Sequence, residues 1–544
     1  TRMLKAAFHL HLFFKFRMRS VCLILLLCSS LDTYKILVYN SKYGHSHSNF
    51  LGSIADTLVD AGHDVTSLIP VMDPSLKDGT EKSKIIRVEP HQKVLDDLGK
   101  EEEEFNFFDM NSFNPIMAIF MAPMMAEGFE LTCTKILSEP GLIERLKAEK
   151  FDVYISENFD VCGTALAHAI APKTMIGSYS SALAGEHFYE FGVPEAISYR
   201  PAAYMTSLDV HSMVDRMWNI YASLHYKYCF WFTRTTVNRV MKEHFGEDYP
   251  SVAEQSANVA YVLTNSEPLL DYAAPTMARV IDVPGIGAKA PKPLDEFWSG
   301  VLARRAKTIL LSFGSIMKSA LMYPDLKAAI VKTISRFPSV TFIWKYEEPE
   351  DEFAKKAVAE LPNLVTTKWM PQLDILAHPN LAVFITHGGM GSTQETALRG
   401  VPGIFIPIFG DQMKNAGMME YNGFGKVFDK SNLNDADKFT AVIKEVLENK
   451  TYRENAKRIS KMLAKKPFSS REQLVKYVEF AAEFGASSAL RPQSVDMYFV
   501  AYHNLDIIII FSTIMIILGY ILFKIVAKIV RTLSARISGK AKNE

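Results

Sequence analysis

Apolar positions along the chain fall into short blocks separated by amphipathic stretches. Lys35-Ile36-Leu37-Val38-Tyr39 reads as a buried strand, followed by a loop over 40–49, an amphipathic helix over 50–60 and a second strand from Asp64. The rhythm returns at 151–156 and 173–178, with a helix starting near Cys162 between them. Strands alternating with helices predict parallel sheets with crossover helices. A Pro- and Gly-rich stretch over 283–293 predicts a linker, after which strands recur at 308–315, 340–344, 364–366, 382–386 and 403–408. The predicted fold class is α/β: two Rossmann-like, doubly wound domains facing a cleft, over 34–282 and 301–490, joined by a linker over 283–300.

Both ends break this rhythm. Lys5, Lys15, Arg17 and Arg19 lead into the apolar run 21–28 and then Ser29-Ser30, which predicts a secretory signal peptide within 1–33 that starts at Met18. Near the other end, 507–523 carries no charge. In a helix over 505–527, the residues from 507 on, at about 1.5 Å each, reach roughly 30 Å and span a bilayer. The tail over 528–544 holds Lys528, Arg531, Arg536, Lys540 and Lys542, which places it on the cytosolic side. The prediction is a single-pass type I membrane protein. Its last five residues, KAKNE, resemble dilysine retrieval signals of the endoplasmic reticulum. An acidic run from Glu101 and a Met- and Phe-rich stretch over 114–125 also stand apart. The second reads either as core or as an adaptable apolar pocket or membrane-facing surface.

Composition narrows the function classes. A chain of 544 residues calls for more than one core. Sixty basic against sixty acidic residues leave little case for nucleic acid as a partner. A hydrophobic share of 48% with mean hydropathy +0.04 excludes a disordered chain and a polytopic membrane protein. Once the predicted signal is removed, Cys133, Cys162 and Cys229 allow at most one disulfide, and no zinc-type spacing is present. Asp435-Ala436-Asp437 opens a helix and reads as a cap with first-turn acids rather than a metal motif. Asn449-Lys450-Thr451 is a glycosylation sequon, and Gly285-Ile286-Gly287 lacks the strand and helix of a nucleotide loop.

The densest chemistry lies in 368–415. A buried strand ends in His387-Gly388-Gly389 and a helix follows from about Ser392. Glycines before a helix N-terminus at the carboxyl edge of a sheet make a diphosphate site. His387 can donate to a phosphate oxygen, and Glu395 can accept from ribose hydroxyls. Together with Trp369, Pro371-Gln372 and Asp411-Gln412, in this order and spacing, the segment resembles the donor-binding signature of the UDP-glucuronosyltransferase and UDP-glucosyltransferase family. The likeness is greatest to the animal membrane-bound UDP-glucuronosyltransferases.

That resemblance implies a GT-B fold with the UDP-sugar on the C-terminal domain. It implies that Trp369 stacks on uracil and Gln372 binds the uridine. His387 and Ser392, with the backbone at Gly389 and Gly391, hold the diphosphate, and Ser315 adds a phosphate contact. Glu395 takes the ribose, and Asp411 and Gln412 take the hydroxyls of the transferred sugar. Gly391 stands where members usually carry Asn, and Lys345 where vertebrate members commonly have Arg. In the N-terminal half, His47 lies sixteen residues before the His63 of a Gly-His pair, the family's spacing for its catalytic base. Glu157 occupies the place of the acid that pairs with it, more often Asp.

The implied reaction is inverting transfer of a sugar, glucuronic acid foremost, from UDP to a hydroxyl of a small lipophilic acceptor. It needs no metal or cofactor beyond the UDP-glucuronate or UDP-glucose donor substrate. The implied setting is detoxification, with catalytic domains in the lumen of the endoplasmic reticulum, anchored by the C-terminal helix; a homo-oligomer is compatible with it. A UDP-glucosyltransferase is the rival within the class, and a non-catalytic membrane-anchored ligand-binding protein the rival outside it.

Overall fold

The computed structural model describes residues 33–97, 108 and 114–540. The predicted signal with Met18, the acidic run and the last four residues of the tail lie outside the described residues. Two parallel sheets form the body. The first runs β3-β2-β1-β4-β5-β6-β7, from β1 (Lys35–Tyr39), β2 (Asp64–Pro70), β3 (Lys84–Val88), β4 (Val153–Glu157), β5 (Thr174–Tyr179), β6 (Val262–Thr264) and β7 (Val280–Asp282). The second runs β10-β9-β8-β11-β12-β13, from β8 (Lys307–Ser312), β9 (Val340–Lys345), β10 (Leu364–Thr367), β11 (Leu381–Thr386), β12 (Gly403–Phe405) and β13 (Gly425–Val427).

In each sheet the strand order reverses once, between β1 and β4 and between β8 and β11. Loops leaving the carboxyl ends of such a pair diverge to opposite faces and open a crevice. The two crevices supply the residues described below. The strands are buried on both faces, as their nearly unbroken apolar sequences require: Ile36, Leu37, Val38 and Tyr39 of β1 are wholly inaccessible, as are Val383 and Phe384 of β11.

Several helices position the site. Helix α1 (His45–Asp60) buries Phe50, Leu51, Ile54 and Leu58 and begins one turn earlier than its apolar period predicts. Extended Gly44 is its N-cap, and Ser48 N–H donates to Gly44 C=O at 3.0 Å, so His45 and His47 stand in a first helical turn rather than in a loop. The polar His-Ser-His-Ser sequence conceals this turn, because its hydrogen bonds are to the backbone and not to an apolar face. Helix α2 (Pro115–Ser138) holds the Met-rich stretch, and both of its readings apply in part. Met121 and Met125 line the central cleft, while Ile119, Phe120 and Met124 are exposed. Cys133 of α2 is disulfide-bonded to Cys162 of α3 (Val161–Ile170), and Cys229 is a buried free thiol on α4 (Met213–Phe245).

In the second half, α5 (Met390–Arg399) and α6 (Gln412–Tyr421) follow β11 and β12. The Asp435 carboxylate accepts from the backbone N–H of Asp437 and Lys438, the capping role read from the sequence. No group of three or more potential metal ligands occurs among the described residues. Helix α7 (Ser470–Phe484) returns to the first sheet, where Leu474, Val478, Ala481 and Ala482 pack with Ile36, Val38, Val153 and Ile176. Residues Pro492–Glu544 form a separate unit. Its helix α8 (Leu505–Lys540) contains a stretch, Leu505–Arg536, whose most apolar 18 residues have a mean hydropathy of 2.5. That stretch is long and apolar enough to cross a membrane.

The two halves of the body are joined by a buried ion network. Asp271 of the first half accepts from Arg200 at 2.7 Å and from Lys414 of α6 at 2.7 Å; Lys414 is buried, and the other two side chains are 12% exposed or less. Burial alone would raise the Asp271 carboxyl, but the two cations hold it well below the usual range. Asp271→Ala strands two buried cations. It is expected to cost about 3–5 kcal/mol, read as a lower melting temperature, whereas an unchanged melting temperature would show the network to be energetically idle.

Candidate active site

Between the halves lies a cleft of about 650 Å³. Its N-terminal wall is apolar and aromatic, with Met121, Phe159, Tyr204, Tyr226 and Phe230. Its C-terminal wall carries Trp369, Gln372, His387, Gly389, Gly391, Ser392, Glu395, Asp411 and Gln412, with Ser315 at the floor. His47 projects from the N-terminal side. Every site residue read from the sequence therefore lines one cavity except Glu157, which is 1% exposed and lies behind His47.

The His47–Glu157 pair follows from the topology. β1 and β4 are adjacent and in register, Tyr39 opposite Ser156, so the first turn of α1 and the last residue of β4 meet at the switch point. His47 Nδ1 lies 2.9 and 3.0 Å from the two Glu157 carboxylate oxygens. The extra methylene of Glu relative to Asp is accommodated without loss of contact. Burial pushes the Glu157 carboxyl up, but the charge and hydrogen bond of His47 and the bonds from Ser180 outweigh it, and the net shift is downward. An ionised carboxylate on Nδ1 fixes the proton there and leaves Nε2 as the basic nitrogen, in the logic of a His–acid pair.

On the opposite wall, β11 ends just before His387, whose ring is packed between two glycines. A Cβ on Gly314 would lie 2.6 Å from the ring Cε1, and a Cβ on Gly389 would lie 2.6 Å from Nε2. Burial and the nearby Lys345 push the imidazole down to about 4, so His387 is a neutral hydrogen-bond donor at pH 7. The N-cap of α5 is Gly389, and no side chain caps that terminus, which leaves its first N–H groups facing the cleft for an anion. A Cβ built at Gly391 meets nothing within 4 Å, so there is room for a side chain at this point of the cleft.

Glu395 accepts from Gln372 Nε2 at 2.8 Å. Burial raises its carboxyl above the ordinary value, with Gln372 and Arg399 offsetting part of the rise. Trp369 is 57% exposed, with Lys345 Nζ 5.8 Å from its ring centroid and His45 edge-on at 5.8 Å. Lys345 itself donates to Gly314 C=O at 2.6 Å and to Glu347 at 3.0 Å, so it buttresses the strand-end turn beneath His387. Gln412 uses its carbonyl oxygen to accept from Ile408 and Phe409 N–H, and Asp411 accepts from Asn415 Nδ2 at 3.0 Å and from Ser181 Oγ at 2.6 Å.

The Ser181 contact comes from the other half of the molecule. Sequence reasoning does not find Ser180 and Ser181, because two serines after a strand carry no pattern of their own. Tyr43, four residues before His47, and the aromatic positions of α4 also escape it. Gly285 and Gly287, dismissed as a nucleotide loop, do line the cleft, where a Cβ on Gly287 would lie 2.6 Å from Asn49 Nδ2.

Comparison with known proteins bears on the family and the fold. The Caenorhabditis elegans protein ugt-48, which bears a UDP-glucuronosyltransferase name, is 30% identical over 513 residues, covering 92% of this chain and 95% of its own. Mouse UDP-glucuronosyltransferase 1A9 is 28% identical over 514 residues, covering 93% and 94%. Among solved structures, the Phytolacca americana glycosyltransferase UGT2, complexed with UDP-2-fluoro-glucose and pterostilbene, superposes with a TM-score of 0.53 at 15% identity. The match covers 83% of this chain and all of that one. The glycosyltransferase of kitacinnamycin gives 0.55 at 16% identity, covering 82% and 98%. These two likenesses bear on the fold, which is GT-B. The sequence model of one family, described as "UDP-glucoronosyl and UDP-glucosyl transferase", matches residues 34–541, and the chain belongs to that family as a UDP-glycosyltransferase.

Proposed function

We propose that the protein transfers glucuronic acid, with inversion at the anomeric carbon, from UDP-glucuronate to a hydroxyl of a small lipophilic acceptor. The observation that carries this reading is the His47–Glu157 pair facing the donor wall across one cleft. The acceptor lies against the apolar N-terminal wall with its hydroxyl at His47 Nε2. As the oxygen attacks C1 of the sugar, its proton passes to Nε2 and the bond from C1 to the β-phosphate oxygen breaks. Glu157 stabilises the imidazolium that forms, and the charge left on UDP is met by neutral His387, Ser315 and the N-terminus of α5. No metal or cofactor is invoked.

Glucuronate as donor is supported by the names of the relatives. Membrane anchoring through α8 is supported by its length and hydropathy. A lumenal site in the endoplasmic reticulum fits a tail holding Lys528, Arg531 and Arg536. The test is a side-by-side assay of microsomes carrying the full chain, with UDP-glucuronate and UDP-glucose at equal concentration and a phenol as acceptor. Faster product formation with UDP-glucuronate is expected. Preference for UDP-glucose would replace the donor assignment, and no transfer from either would leave a ligand-binding protein.

A further inference from the structure

Four oxygens crowd one nitrogen at the base. Besides the two carboxylate oxygens of Glu157, Tyr43 Oη lies 2.5 Å and Ser180 Oγ 2.8 Å from His47 Nδ1. A neutral imidazole carries at most one proton on that atom. Two arrangements are open to it. If Nδ1 carries the proton, it donates to Glu157 and leaves the Nε2 lone pair for the acceptor. If Nδ1 is bare, the hydroxyls of Tyr43 and Ser180 donate to it, Nε2 carries the proton and the ring is no base. What decides between them is whether Glu157 stays ionised, and its surroundings provide for that. The carboxylate accepts from Ser180 N–H at 2.8 Å and from Tyr43 Oη–H at 3.2 Å, in addition to His47, and the Ser180 hydroxyl also bonds it and lowers its proton affinity.

We infer that the hydroxyls of Tyr43 and Ser180 are positioning residues: they hold the Glu157 carboxylate ionised and keep His47 in the tautomer that presents Nε2 to the acceptor. This rests on His47 being the base. A glutamate has one more rotatable bond than an aspartate, and a grip from three sides removes the freedom that bond adds. Tyr43 is fixed for the task by apolar packing, its ring stacked on Phe159 at 5.4 Å and edge-on to Phe129 at 5.6 Å. Burial, then the charges of Glu157 and Asp160, raise its hydroxyl well above the ordinary value, so it is a donor at any working pH.

Other titratable groups face the same spot. Asp160 lies beneath, bonded to Tyr39 Oη at 3.0 Å and pushed up to about 6 by burial. His187 is pushed down to about 3 by burial and by Arg234, and is neutral. Tyr179 is raised well above its ordinary value, chiefly by burial.

The test uses the full chain in microsomes, with the donor that turns over and a phenol acceptor, on an Asp160→Asn background so that this carboxyl does not titrate. Tyr43→Phe and Ser180→Ala are each expected to lower kcat about tenfold and to leave KM for the UDP-sugar within about twofold. Hydrogen bonds to an ionised carboxylate favour its charged form, so losing one raises the proton affinity of the pair. The acid limb of kcat/KM is therefore expected to move up by about one pH unit. Ser180→Thr, which keeps the hydroxyl, is expected to restore both kcat and the limb. A lower melting temperature with an unmoved limb, or unchanged kcat in both variants while His47→Ala is inactive, would overturn the inference. Turnover that survives His47→Ala would instead remove the base assignment on which it rests.

Discussion

Glu157→Gln, like His47→Ala, is expected to lower kcat by about 10³–10⁴-fold while leaving KM for the UDP-sugar near its original value. Gln has almost the shape of Glu, so the argument is about protons and not space. Ser180 N–H donates to Glu157 Oε1 and Tyr43 Oη–H to Oε2, whereas the amide has one oxygen, which the fixed backbone N–H of Ser180 holds at the Oε1 position. Its NH₂ is then turned toward His47 Nδ1, which must accept. The ring proton moves to Nε2, and the nitrogen facing the acceptor is occupied. Donor binding lies on the other wall and is untouched, which is why kcat and not KM carries the loss. Steady-state kinetics with the donor varied at saturating phenol measures it; a loss of less than tenfold would mean that Glu157 does not set the tautomer.

Gly314→Ala is expected to raise KM for the UDP-sugar by about 10–100-fold, the loss of one hydrogen bond to a charged phosphate. Gly314 has φ +85°, a conformation in which an L-residue is strained by roughly 1–2 kcal/mol. The added Cβ also lands 2.6 Å from His387 Cε1. The ring has nowhere to retreat, because Gly389 closes its other side and Lys345 ties the Gly314 carbonyl in place. His387 must leave the position from which it is proposed to meet the diphosphate. Calorimetric titration with UDP separates this from a folding defect, since the variant keeps its melting temperature within a few degrees. Binding of UDP as tight as in the parent chain would show that His387 is not a phosphate contact.

The C-terminal wall was the legible part of the cleft. Trp369, Gln372, His387, Glu395 and Asp411-Gln412 fall within one segment, and their spacing along a strand, a turn and two helices determines where they meet. His47, the proposed base, was singled out by its likeness to the family's spacing, and its helical setting was not legible, since the bonds that build the first turn of α1 run to Gly44 backbone. Alternation of strands and helices gave two parallel sheets, because apolar runs buried on both faces have few other homes. What stayed hidden was whatever depends on long-range meeting. Tyr43 reaches Glu157 across 114 positions and Ser181 reaches Asp411 across 230, and nothing local marks a hydroxyl that will find a carboxylate so far along the chain. The 33-residue α4, whose inner side lines the acceptor wall, has apolar residues all around it and so no period from which an inner face could be read.

Helix α7 makes the two halves unequal as modules. The C-terminal sheet lies between two crossings of the chain, one at 283–295 and one just before Ser470, and the second crossing delivers Leu474, Val478, Ala481 and Ala482 to the core of the N-terminal sheet. The N-terminal half is thus discontinuous in sequence. A chimera meant to exchange acceptor preference between two relatives has to carry 470–484 along with 34–282, because a single junction in the linker would pair the first sheet of one parent with the covering helix of the other.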